Sequence, residues 1–327
     1  MKGSRPPFHQ WVQLEQPRLG TRVTLATDEF FAPKERLIGP SDPVFVPDRY
    51  DANGKWMDGW ESRRKRTPGH DHCIVRLGLP AIVRGVDIDT SHFTGNFPPF
   101  ASIDGNSSEA EAPRSGWVEI LPKTALSGDS HHYRPIDSGA VWTHLRLNIY
   151  PDGGIARLRI YGEVKAPTPV SDDLIDLFGV ENGGRAISCS DEHFGSMHNL
   201  NLPGRSTDMG DGWETARRRG PGNDWVIIQL GHCGSVERAE VDTAHFKGNY
   251  PDRVSLEAAL FGPAAAVDVD HSQWRTLLSE TRLEMDRRHL FVSELRDLGP
   301  VSHVRMSIYP DGGVSRLRLF GRPQPLG

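Results

Sequence analysis

The sequence predicts an all-β protein made of two tandem antiparallel sandwiches. Three observations carry this: the chain repeats itself once, its apolar residues fall in short strand-like runs, and glycine and proline punctuate those runs. Residues 88–98 read IDTSHFTGNFP, and residues 241–251 read VDTAHFKGNYP. The stretch HLRLNIYPDGGIARLRIYG at 144–162 returns as HVRMSIYPDGGVSRLRLFG at 303–321, and DGWESRRKRTPG at 58–69 returns as DGWETARRRGPG at 211–222. The blocks keep their order at an offset of 153, which widens to 159 by His144 and His303. Two copies are too few for a solenoid, so each is predicted to be a complete domain. The expected boundaries are 1–165 for the first sandwich, 166–184 for a linker and 185–327 for the second.

The elements follow in order. HCIVRLGL (72–79) and WVIIQLG (225–231) are continuous apolar runs rich in β-branched residues, as buried strands require. In IVRGVDIDTSHF (82–93), Ile82, Val86 and Ile88 share one parity, which Thr90 and His92 continue. YPDGG predicts a hairpin turn, with Pro and Asp setting it and a glycine closing it. On either side, Leu145, Leu147 and Ile149, then Leu158 and Ile160, form apolar faces. The linker opens on APTPV, holds a short predicted helix, DLIDLF (173–178), and closes on ENGG. Seven or eight short strands per half make a two-sheet sandwich the simplest architecture. The 34 glycines and 25 prolines among 327 residues fit many turns.

Composition narrows function. A net charge of −5 offers no field for nucleic acid or anionic membrane. No apolar run approaches the length of a transmembrane helix, and Met1–Gly20 lacks the apolar centre of a signal peptide. Cys73, Cys189 and Cys233 are odd in number and far apart, which predicts free thiols and a cytoplasmic location. No paired-cysteine zinc motif, phosphate-cradling glycine loop or nucleophile elbow is present. No metal and no cofactor is expected. His131-His132 finds no counterpart in the second half by sequence.

Apolar repetition needs only a repeated core. Repeated polar residues ask for more, because surface positions drift at little cost in stability. In DTSHFTGN and DTAHFKGN, the histidines His92 and His245 sit at the inner end of a strand, with Asp89 and Asp242 three residues before and Asn96 and Asn249 four after. Such an imidazole suits general acid–base work near neutral pH. It equally suits a histidine that closes the sandwich end, with Asp and Asn bonding the turn. In DGWE, Trp60 and Trp213 could wall a site, Glu61 and Glu214 serve as bases, and Arg64 and Arg217 fork an anion. The plainer alternative is a tryptophan plug with a structural ion pair. His144, Arg146, Arg157 and Arg159, repeated as His303, Arg305, Arg316 and Arg318, are expected on the polar face of two adjacent strands. They suit a carboxylate, or a solvated or interfacial face.

These long paired motifs resemble allantoicase, the allantoate amidinohydrolase of purine breakdown, over both halves from about Thr21 to Pro323. The resemblance implies two jelly-roll, galactose-binding-like sandwiches. It also implies hydrolysis of allantoate to (S)-ureidoglycolate and urea. From the chemistry that reaction needs, and not from the family, His92 or His245 is expected to act as acid or base, assisted by Glu61 or Glu214. Arg64 or Arg217, Asp89 or Asp242, Asn96 or Asn249, and Trp60 or Trp213 would bind substrate. The substrate is then a small molecule, allantoate, and a homo-oligomer is an expectation from symmetry alone. The competing reading is a non-enzymatic carbohydrate-binding module stacking sugars on Trp60 and Trp213.

Overall fold

The structure is a computed structural model that describes residues 6–167, 173–262, 267, 270 and 272–324. By contacts the chain divides into two compact units, Met1–Lys165 and Ala166–Gly327. No helix among the described residues is long and apolar enough to cross a membrane.

The first unit is organised by one strand of nineteen residues, Asp71–Asp89. Its first part pairs antiparallel with Arg22–Ala26 and with Trp142–Tyr150. The sheet continues from Trp142–Tyr150 to Phe100–Asn106 and Val118–Ala125. Its second part pairs with Arg157–Val164 and His131–Pro135 in the opposing sheet, whose edge is Val12–Gln13. The strand therefore belongs to both sheets. Gly78 lies at the crossing, where a Cβ would come within 1.8 Å of the Leu19 carbonyl oxygen, so no larger residue fits. A bulge near Arg84 shifts the register between Tyr161 and Gly162, which lets Val83 as well as Ile82 and Val86 turn inward.

The apolar faces read from the sequence form the core. Leu145, Leu147 and Ile149 from one sheet, and Val86, Ile88, Leu158 and Ile160 from the other, are fully buried. Each such side chain contributes about 1.5–3 kcal/mol by leaving water.

The second unit repeats the plan around Asp224–Asp242. Arg185–Cys189 and Val301–Tyr309 flank its first part, and Arg316–Pro323 and Arg288–Phe291 its second. Arg253–Ala259 and Arg275–Arg282 complete the first sheet. Its core is one cluster that includes Leu177, Phe178, Val241, Val304, Met306 and Leu317.

Several expectations are corrected. The predicted helix at 173–178 is instead a two-residue strand, Ile175–Asp176, followed by a turn. Its strand pairs with Phe320 and Gly321, and the Asp176 carboxylate accepts the backbone N–H groups of Phe178 and Leu319 at 3.2 and 2.9 Å. Six residues without helix caps gain more by that edge pairing and by burying Leu177 and Phe178. The expected linker 166–184 thus joins the second sandwich from Ile175 on, and residues 168–172 lie outside the described residues. YPDGG does not close a hairpin either. The strands on either side of it pair with different parts of Asp71–Asp89, so the turn carries the chain from one sheet to the other. His144 and Arg146 are therefore not on a strand adjacent to that of Arg157 and Arg159. Finally, His132 has a counterpart in His289. Their rings accept the N–H groups of Ser127 and Glu284, both at 2.8 Å, and face the carbonyls of Ile88 and Val241.

The halves differ in one arm. Thirty residues separate Asp28 from Asp58, but twenty separate their equivalents Asp191 and Asp211. The equivalence is structural, since Trp60 and Trp213 donate their indole N–H groups to the carbonyls of Asp28 and Asp191. The longer arm contains a small hairpin of Tyr50–Asp51 and Gly54–Lys55.

Candidate functional site

The long strand ends at Asp89, and the loop 90–98 leaves the sandwich there. Phe93 anchors the loop. It is fully buried, with Met57 and Ala156, beneath Gly154. A Cβ on Gly154 would sit 1.9 Å from the Phe93 ring, so glycine is obligatory there. Gly154 also donates its N–H to the Asn96 carbonyl and pairs with Glu61, while Glu61 bonds Ala32 on its other side. The loop after the first long strand, the DGWE strand and the YPDGG turn are thereby laced together by backbone hydrogen bonds.

His92 stands above this lacing in the left-handed region, φ 69°. Its N–H donates to the Asp129 carboxylate at 2.8 Å, and its ring Nε2 lies 3.2 Å from the Pro43 carbonyl. A carbonyl only accepts, so Nε2 carries a proton and Nδ1 is the nitrogen that exchanges one. Asn96 donates from its side-chain amide to Glu61 Oε1 at 2.8 Å. His92, Asn96 and Glu61 line one cavity of about 400 Å³, with Phe31, Lys55, Met57, Thr94 and Gly95. Burial raises the Glu61 carboxyl above its ordinary value, and the charge of Asp51 adds to that. The Asn96 hydrogen bond opposes both.

The second unit reproduces the local geometry. His245 has φ 70°, its N–H donates to Asp286 at 2.8 Å and its Nε2 lies 3.0 Å from the Ser206 carbonyl. Asn249 donates to Glu214. The surroundings differ: Asn249 also lies against Met209 Sδ at 3.9 Å, and Lys247 faces Asp286 at 3.8 Å.

Other expected site residues are placed elsewhere. Trp60 and Trp213 are fully buried, so neither ring can stack on a ligand, because the sandwich end closes over them. Arg64 and Arg217 are exposed, and Arg64 is not in the cavity lining. Asp89 and Asp242 are buried. They accept the N–H groups of Ser91 and Ala244 in the turn, and Asp242 also pairs with Arg205. The arginines flanking the YPDGG turns are engaged in ion pairs instead of gathering for a ligand. Arg146 pairs with Asp104 at 2.7 Å, Arg159 with Glu15 at 3.6 Å, and Arg318 with Asp176 at 3.6 Å, while Arg305 pairs with Glu257.

Arg157 is the most engaged. Only 2 % exposed, it forms an ion pair with Asp58 at 2.8 Å and donates to the carbonyls of Ser41, Arg36 and Asp58. Arg316 pairs likewise with Asp211 at 2.9 Å. Burial alone would raise the Asp58 carboxyl, but the Arg157 hydrogen bond, the Val44 N–H and the charges of Arg157 and Arg36 outweigh it and hold the group below its ordinary range. Through these contacts Arg157 fixes the arm that carries Pro43, Lys55 and Met57 to the site.

Sequence reading missed Phe31, Lys55 and Met57 as lining residues. The unequal spacing between the DE and DGW blocks of the two halves was the available signal. Among the described residues, no group of three or more His, Cys, Asp or Glu side chains converges as metal ligands would.

Comparison with known proteins follows the same two-part division. A family model described as "Allantoicase repeat" matches residues 12–165 and 175–324. A protein of Pseudomonas aeruginosa strain UCBPP-PA14, "Probable allantoicase", is 53 % identical over 99 % of this chain and 99 % of its own. One of Ralstonia nicotianae with the same description is 55 % identical over 97 % of this chain and 96 % of its own. The crystal structure of Saccharomyces cerevisiae allantoicase superposes with a TM-score of 0.79 at 39 % identity, covering 95 % of this chain and 92 % of that one.

Proposed function

The chain belongs to the allantoicase family and is a hydrolase of allantoate, and from that premise we propose that the bond is cut in the cavity shared by His92, Glu61 and Asn96. The observation that carries the proposal is that three of the duplicated polar side chains, far apart in sequence, line one cavity of about 400 Å³, room enough for a molecule of this size.

Allantoate carries a carboxylate and two ureido groups on one carbon. Release of urea breaks one bond from that carbon to a ureido nitrogen. The nitrogen needs a proton, and the carbon then takes a hydroxyl from water. His92 holds one ring proton on the Pro43 carbonyl; in its protonated form it offers the other, at Nδ1, to the departing nitrogen. Glu61, whose carboxylate burial makes more basic, takes a proton from the water that adds to the imine-like carbon. That proton returns to His92 through solvent, so the balance is one water consumed for one urea and one ureidoglycolate. Asn96 spends its amide N–H on Glu61, which leaves its oxygen to accept a ureido N–H and orient the leaving group. The three free thiols fit a reducing, cytosolic setting for this chemistry.

The alternative of a carbohydrate-binding module loses its platforms, because Trp60 and Trp213 are buried. Urea release by His92→Asn and His245→Asn, made separately, tests the proposal. Asparagine tolerates the left-handed backbone, so the fold is preserved. His92→Asn is expected to lose about a hundredfold or more in turnover. Full activity in both variants overturns the reading, and a loss confined to His245→Asn moves the chemistry to the second unit.

A further inference from the structure

We propose that Lys55 binds the carboxylate of the substrate, and that the first unit consequently holds the one complete site in each chain. The inference rests on the cavity reading above and names the group it lacked. A site for allantoate needs a cation as well as donors and acceptors for the ureido groups. Arg64, the residue the sequence offers, does not line the cavity. The neighbouring arginines are committed: Arg63 to Asp28, Arg157 to Asp58, and Arg36 to the Met57 carbonyl and the face of Trp56. Lys55 is the only lysine or arginine among the lining residues.

Its placement suits the task. The Lys55 ammonium lies 4.6 Å from the centroid of Phe45, whose ring in turn lies 5.8 Å from that of His92. A cation over an aromatic face is held in position without its charge being neutralised, so it can still attract an anion. Lys55 and His92 both line the cavity. A carboxylate held there directs the two ureido groups of the same carbon toward His92, Glu61 and Asn96. The hairpin that carries Lys55 belongs to the arm that is ten residues longer in the first unit. The corresponding arm of the second unit, residues 191–211, all of them described, has no such hairpin, and the nearby Lys247 already faces the Asp286 carboxylate. The polar trio was duplicated; the anion-binding arm was not.

The test is steady-state kinetics on the full chain with Lys55→Ala and Lys55→Arg, alongside inhibition by methylenediurea, which is allantoate without its carboxylate. Lys55→Ala is expected to raise KM for allantoate about tenfold to a hundredfold, the scale of a lost hydrogen bond to a charged group. Turnover should hold within a few-fold, Lys55→Arg should recover part of the loss, and inhibition by methylenediurea should not change. Thermal melts matching the parent protein are expected, since Lys55 is exposed. Equilibrium dialysis of ureidoglycolate should find one site per chain. An unchanged KM in Lys55→Ala, or equal weakening of substrate and methylenediurea, overturns the carboxylate assignment. Two equivalent sites per chain overturn the single-site inference. His92→Asn assayed in parallel separates the two readings: if it is inactive while Lys55→Ala is unaltered, only the Lys55 role falls, and if it is fully active the cavity reading falls too.

Discussion

Glu61 shows how a single residue acquires chemistry from its surroundings. A carboxylate in a surface loop would be a weak base. Here the strand pairing to Gly154 and the bridge to Ala32 keep it 92 % buried, and desolvation raises its proton affinity. Because the carboxylate form is the working one, activity should rise as pH climbs through this raised value. Glu61→Gln is expected to remove the acidic limb of the kcat/KM profile and to lower turnover by about a hundredfold or more. A variant that keeps the same acidic limb would show that another group sets it. The sequence made His92, Glu61 and Asn96 legible as a set because they recur at constant spacing. It could not show that Trp60 faces inward, since tryptophan serves a wall or a plug equally well and only packing decides.

At the scale of elements, the loop arm 36–58 depends on one buried guanidinium. Removing its partner would leave the Arg157 charge uncompensated at 2 % exposure. Asp58→Asn is therefore expected to cost about 3 kcal/mol in guanidinium-induced unfolding, and to raise KM because the arm carries Lys55. A loss below about 1 kcal/mol would show that the pair does not organise the arm. Since the Asp58 carboxyl is held below its ordinary range, its contribution is fully present above the unfolded value. It is lost as pH falls through the folded one, and Asp58→Asn should flatten that part of the acid transition. The strands themselves were readable from alternation and β-branching, but their partners were not. YPDGG has the local chemistry of a hairpin; what sends its two flanking strands to different sheets is competition from Asp71–Asp89, whose edges each satisfies. Likewise DLIDLF contains good helix formers, yet six residues cannot repay helix nucleation against an available sheet edge.

For the molecule as a whole, duplication was the strongest signal in the sequence, because two copies of an apolar pattern identify a core without any alignment of relatives. It also hid what differs: offsets measured from Asp58 onward passed over the longer arm, and the later insertion masked the kinship of His132 and His289. In each unit a single nineteen-residue strand serves both layers of the sandwich. Neither layer can therefore melt while the other persists, and each unit should lose its structure in one step. Deuterium uptake would register this as a common, slowest rate for amides along 72–76 and 82–88, set by complete unfolding of that unit. Earlier labelling of one stretch alone would mean that the layers open independently. A ligand held where this strand ends would then slow exchange along its entire length, so occupancy of the cavity could be read from amides that never touch it.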